Sequence, residues 1–130
     1  MRYLLDTVAM VRHFSGLGRV GKRASAILAS AENNECHSLL VSVVSLMEVL
    51  YLAEKNRIPL DLAQALDTIE ASPHYTIVDL SPEILKVAAA VSFPELHDRL
   101  IVAAAKWLGV GLISSDTALR ALPDLEVIWD

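Results

Sequence analysis

Four acidic residues from distant parts of the chain have the types and settings to act together: Asp6, Glu48, Asp98 and Asp116. Asp6 closes the short apolar run Tyr3-Leu4-Leu5, and Asp116 closes Leu112-Ile113-Ser114-Ser115. Glu48 and Asp98 stand early in stretches of helical periodicity. Carboxylates gathered on one rim repel one another. Two unit charges about 4 Å apart cost about 4 kcal/mol at an effective dielectric of about 20. Either some keep a proton, with linked titration, or a cation neutralises them. An all-oxygen set favours a hard divalent ion, Mg²⁺ or Mn²⁺. Such a site suits phosphoryl chemistry, in which one ion activates a water and a second stabilises the leaving oxygen of a phosphodiester. No Ser, Cys or His nucleophile need be invoked. Zinc-type spacing is absent: Cys36-His37 is an isolated pair, and His13 and His74 are scattered. His97 directly precedes Asp98, which puts it in reach of a substrate.

Each acid also has an ordinary structural use. Asp6-Thr7 can form an Asx turn. Asp98 can cap a helix and meet its dipole. Asp116 can cap the segment after it, and Ser45-x-x-Glu48 reads as a capping box. Four structural acids on one rim would be a less economical explanation than one shared site.

The elements that must position these acids alternate between strand and helix. Strands are expected at 2–5, 38–44, 75–80, 110–114 and 125–129. Helices are expected at 8–14, 19–34, 45–55, 59–71, 82–91, 98–108 and 117–122. Pro59 suits a first helical turn, as does Pro82 behind Ser81, and Asn33-Asn34 signals a turn. Alternation of this kind predicts an α/β sandwich with a mainly parallel sheet. The C-terminal ends of its strands then share one rim with the helix starts.

A chain of 130 residues is expected to form one domain spanning 1–130, with no repeat or linker. Its hydrophobic share is 54%, and the mean hydropathy of +0.44 suits a sheet covered on both faces. Apolar residues on the 46–53 and 60–71 segments exceed what one buried face needs, so a homodimer is expected. The most apolar stretch, 39–53, is broken by Ser42, Ser45 and Glu48 and is too short to span a membrane. No signal peptide is visible, and a single Cys36 fits a reducing cytoplasm. The net charge of −5 speaks against a general nucleic-acid binder. Charge is uneven, however: up to residue 30, Asp6 is the sole acid against Arg2, Arg12, Arg19, Lys22 and Arg23. Of these, Arg12, Arg19, Lys22 and Arg23 are candidates to contact phosphates.

Y-L-L-D-T at 3–7, V-S-V-V-S-L-M-E-V at 41–49, H-D-R-L-I-V-A-A-A at 97–105 and L-I-S-S-D at 112–116 together resemble the PIN-domain ribonucleases, and within them the VapC-type toxins. The resemblance spans essentially the whole chain. It implies a PIN-like three-layer α/β/α sandwich with strand order 3-2-1-4-5. It also implies an endoribonuclease dependent on Mg²⁺ or Mn²⁺ that hydrolyses RNA, with a small basic antitoxin as partner. The family's acids carry over onto Asp6, Glu48, Asp98 and Asp116. Thr7 and Ser115 match hydroxyl residues that line the family's pocket, and Arg99 matches an arginine expected to brace the acidic rim by ion pairing. Phe93-Pro94-Glu95-Leu96-His97 departs from the family's usual approach to the third acid, which alters the mouth of the site.

Other readings compete. A free-standing RNA-processing nuclease would use the same acids. A non-catalytic PIN-like module binding RNA or protein would bind Mn²⁺ weakly or not at all. A haloacid-dehalogenase-type phosphatase needs a second acid two residues beyond Asp6, where Val8 stands. A receiver domain needs a lysine beyond its last strand, and none follows here.

Overall fold

The computed structural model describes residues 1–33 and 37–130; Asn34 and Cys36, with the readings that rest on them, lie outside these. Five strands form one parallel sheet: β1 (Arg2–Leu5), β2 (Ser38–Ser42), β3 (Tyr75–Val78), β4 (Gly111–Ile113) and β5 (Val127–Ile128). Their order is β3-β2-β1-β4-β5, as expected. Leu4 pairs with Leu40 on one side and Leu112 on the other, so β1 is the central strand.

The side-chain period of two divides the core. Tyr3, Leu5, Leu39, Val41, Ile113 and Ile128 point to one face. There they meet α1 (Thr7–Ser15), α2 (Lys22–Glu32) and α4 (Leu62–Glu70) through Met10, Leu28 and Ile69. Leu4, Leu40 and Leu112 point to the other face. There they meet α5 (Pro82–Ala90), α6 (Leu96–Leu108) and α7 (Thr117–Arg120) through Ile84, Ile101 and Leu119. The third helix, α3 (Val43–Glu54), lends Leu46 and Val49 to the first cluster and Val44 to the second. No described helix is long and apolar enough to cross a membrane.

α2 opens at Lys22 rather than Arg19, because Gly18 is left-handed and Gly21 caps the helix; three further helix starts also differ from expectation, each with a local cause. The β-branched run does not stay extended to Val44. Ser42 stops β2 by accepting a hydrogen bond from the Val44 N–H at 3.0 Å, which makes Ser42 the cap of α3 and leaves Ser45 inside the helix. The Ser45-Glu48 capping box therefore does not form. α4 begins after Asp61 rather than at Pro59, because Asp61 and Gln64 make a reciprocal capping box with bonds of 2.8 and 3.0 Å. α6 begins at Leu96, capped by Glu95 and not opened by Asp98. On α4, Ile69 is buried and Leu62 and Leu66 are partly covered, so the exposed apolar excess lies on α3 alone of those two helices.

The start of α2 is clamped to the end of β5. The Ala24 N–H donates to the Trp129 carbonyl at 3.0 Å, and a Cβ at Gly21 would collide with that same carbonyl. Gly21→Ala must therefore move backbone against backbone. It is expected to lower unfolding free energy by about 1–3 kcal/mol in urea titrations, with the slope unchanged.

Candidate active site

The parallel sheet delivers the acids to one rim. Asp6 follows β1, and its carboxylate accepts from the Ala9 N–H at 2.8 Å, which starts α1. Asp116 lies past β4 and caps α7 by accepting from the Ala118 N–H at 2.9 Å. Glu48 lies in the second turn of α3, and Asp98 in the first turn of α6. The capping role considered for Asp98 falls instead to Glu95, whose Oε2 accepts from the Asp98 N–H at 2.6 Å.

Neutral donors hold the two inner carboxylates. The Thr7 hydroxyl donates to Glu48 Oε1 at 2.6 Å. With its one proton so used, Thr7 accepts from the Ser45 hydroxyl 3.0 Å away. This links the start of α1 to α3 and sets the direction of Glu48. The Ser114 hydroxyl donates to Asp6 and accepts from the Asp116 N–H at 3.1 Å. Ser114, fully buried, thus takes the place expected for Ser115, which lies half-buried beside it.

Electrostatics show the strain of this gathering. Burial pushes the Asp6 carboxyl up to about 6 against the hydrogen bonds from Ser114 and Ala9, and the charges of Asp116 and Glu48 add to the rise. Partial burial likewise pushes Asp98 up to about 6, helped by Glu95, Glu48, Asp116 and Asp6 in that order. Asp98 therefore senses the charge of Glu95 and of the other three expected acids, and Asp6 that of Asp116 and Glu48. Although slight burial works the other way, the Asp98 and His97 N–H groups and the His97 ring hold Glu95 below the ordinary range. His97 Nδ1 lies 2.9 Å from Glu95 Oε1 and 3.9 Å from Glu48 Oε2.

Arg99 does not brace this rim. Its Nη2 donates to the Ala88 carbonyl at 2.9 Å, closing the end of α5, and its Nε is buried without a hydrogen-bond partner. The basic segment is also partly occupied. Arg12 donates to the Arg19 carbonyl at 3.0 Å and lies over the Trp129 ring, and Arg19 pairs with Asp130 at 2.7 Å. Lys22 and Arg23 are exposed in the first turn of α2, beside the end of β5. Sequence reasoning missed Glu95 and Ser114. The signal for Glu95 was its place after Pro94 and three residues before Asp98, the spacing of a helix cap.

The donor chemistry fits a hard divalent cation: carboxylate oxygens only, Asp6 buried, with no lysine or arginine among the described residues paired to them. As the side chains stand, no three His, Cys, Asp or Glu groups among the described residues are close enough to hold one ion. Ion binding would have to draw them inward.

Fold and rim together define a class. The PIN-domain family model matches residues 3–125, and the chain belongs to that family. It is 28% identical over 120 residues to Ribonuclease VapC22 of Mycobacterium tuberculosis, covering 90% of this chain and 92% of that protein. Among solved structures, VapBC2 from Rickettsia felis bound to a promoter DNA fragment superposes with a TM-score of 0.75 at 18% identity, over 100% of both chains. A toxin–antitoxin complex from Klebsiella pneumoniae gives 0.65 at 23%, over 97% of this chain and 95% of that one. The sarcin–ricin-loop-cleaving toxin VapC20 of Mycobacterium tuberculosis gives 0.61 at 14%, over 95% and 98%.

Asp6 and Asp98 hold protons more tightly folded than unfolded, where the ordinary value is 3.8. Stability should therefore fall as pH rises from about 4 to 6 and stay low above that range. For Asp6 the shift corresponds to up to about 3 kcal/mol. Asn caps a helix as well as Asp. In EDTA at pH 8, Asp6→Asn is thus expected to melt above wild type, with the gap closing near pH 4, and to gain less from Mn²⁺. A mutant melting several degrees lower at pH 8 would show that the Asp6 charge stabilises the fold and would overturn the repulsion argument.

Proposed function

We propose that this protein is a metal-dependent endoribonuclease and the toxin of a toxin–antitoxin pair. The observation that carries the reading is the set of repelling carboxylates at the C-terminal edge of a PIN-domain sheet, with no lysine or arginine among the described residues paired to the four. A relative named a ribonuclease, and structural neighbours described as toxin–antitoxin complexes, support it.

Asp6, Glu48, Asp98 and Asp116 would hold Mg²⁺ or Mn²⁺, which supplies charge neutralisation and an activated water for attack on a phosphodiester. The chain's own residues do the positioning. Thr7 orients Glu48, and Ser114 orients Asp6 while taking the Asp116 N–H. Because these donors are neutral, they direct the carboxylates without cancelling the charge that attracts a cation. Lys22 and Arg23, beside the same end of the sheet, are placed to meet the phosphates of an RNA strand, whereas Arg12 and Arg19 serve the fold. Net charge −5 with an acidic rim suits a basic antitoxin that covers the site.

The test is cleavage of a structured RNA pool in Mn²⁺ by wild type and Asp98→Asn. Wild type should cleave, EDTA should abolish cleavage, and the mutant should lose about 100-fold or more. Absence of cleavage together with no effect of Mn²⁺ on the melting temperature would favour a non-catalytic binding module.

A further inference from the structure

Residues 16–21 form an arm that leads from α1 into α2, and the end of β5 holds it in place. Gly16 and Gly18 bend it through left-handed backbone angles, φ 71° and 89°, which other residues rarely adopt. Leu17 and Arg19 are exposed, and Val20 reaches the core only in part. The fastenings are mostly polar. Arg12 Nη1 donates to the Arg19 carbonyl at 3.0 Å, and the Arg12 guanidinium lies 5.9 Å from the centre of the Trp129 ring. Arg19 Nη2 donates to Asp130 Oδ1 at 2.7 Å, while Arg120 Nη2 stands 3.7 Å from Asp130 Oδ2. One carboxylate thus links the arm to α7, the helix that Asp116 caps.

α2 depends on this support. Gly21 caps it with no side chain to meet the first-turn N–H groups, and no acid stands in that turn. Lys22 and Arg23 instead put two positive charges there, the sign that a helix start disfavours. A start so poorly provided for frays unless something outside the helix holds it. The Trp129 carbonyl does so by accepting from the Ala24 N–H at 3.0 Å. The Arg19–Asp130 pair, one residue further along, ties the same two segments a second time.

We propose that Asp130 is a positioning residue for RNA binding: its ion pair with Arg19 fixes the arm, and through the arm the bearing of Lys22 and Arg23. The proposal rests on the reading of Lys22 and Arg23 as phosphate contacts. The Asp130 carboxylate carries the same sign of charge as the phosphates it helps to bind, and this makes the claim testable by sign. If Asp130 acted through its charge alone, it would repel RNA, and neutralising it would tighten binding. If it acts through Arg19, neutralising it frees the arm and weakens binding. Exposed ion pairs contribute little to overall stability, so the fold survives the change and the effect stays with the arm.

The experiment measures binding of a labelled oligoribonucleotide in Ca²⁺ at low salt, where contacts between exposed charges are strongest. Asp130→Asn should bind roughly 2- to 5-fold more weakly than wild type, the range of a lost exposed ion pair. Asp130→Glu, which still reaches Arg19, should bind as wild type does. In Mn²⁺, KM should follow the binding while kcat stays unchanged. In the free protein, the Ala24 amide should exchange its hydrogen faster in Asp130→Asn, with the amides of Ala103, Ala104 and Ala105 in α6 unchanged. Equal or tighter binding by Asp130→Asn overturns the proposal and leaves the nuclease reading standing, and so does unchanged exchange at Ala24. A melting temperature several degrees lower overturns it too, because the whole fold and not the arm would then have loosened. If wild type binds the strand but cleaves nothing, the same comparison decides and only the nuclease reading falls. If wild type binds no RNA, the proposal falls together with the phosphate contacts.

Discussion

The structure depends on holding like charges together. A parallel sheet sends every strand's C-terminal end to one side, and four helices start there. α1, α3, α6 and α7 all point their N-termini at the rim, with Asp6, Ser42, Glu95 and Asp116 as their caps. Each helix end contributes partial positive charge. The same acids that crowd the rim therefore also start two of its helices, and the helix ends offset part of the crowding. The offset is incomplete, since Asp6 and Asp98 remain near 6. What is left over is the tendency of this surface to attract a cation.

The parallel α/β layering could be read from apolar runs alternating with helical ones, whereas the strand order 3-2-1-4-5 came from the family resemblance. Leu4 and Leu5 face opposite clusters as the side-chain period of a strand requires. Boundaries were harder where a residue serves two patterns. Val43 and Val44 have strand-like side chains yet open α3, because Ser42 offers its hydroxyl to the backbone and ends the extension. Ser114 and Ser115 look interchangeable in sequence. Only the pleat decides that Ser114 turns inward to Asp6.

The arginines misled in a similar way. Arg99 matches the arginine that follows the family's third acid, and bracing of the rim was expected from that resemblance. On a helix, adjacent residues point about 100° apart, and Arg99 faces α5. Arg12 and Arg19 belong to a basic run, but their partners lie at the far C-terminal end, in Trp129 and Asp130. Contacts between residues more than a hundred positions apart leave no local pattern to read. Glu95 was overlooked for the opposite reason: its partners, His97 and Asp98, are so close that it looked like ordinary loop polarity.

Asp98 and Arg99 also have a mechanical meaning. One points to the rim and the next is hooked to the Ala88 carbonyl of the neighbouring helix. α6 is thereby keyed like a shaft against rolling about its own axis. Any twist that swung Asp98 inward would have to drag the end of α5 and the 91–95 connection with it. The bearing of that carboxylate is therefore set by the layer of helices, while the bearing of Asp6 is set by the sheet. The two halves of the rim are mounted on separate parts of the frame.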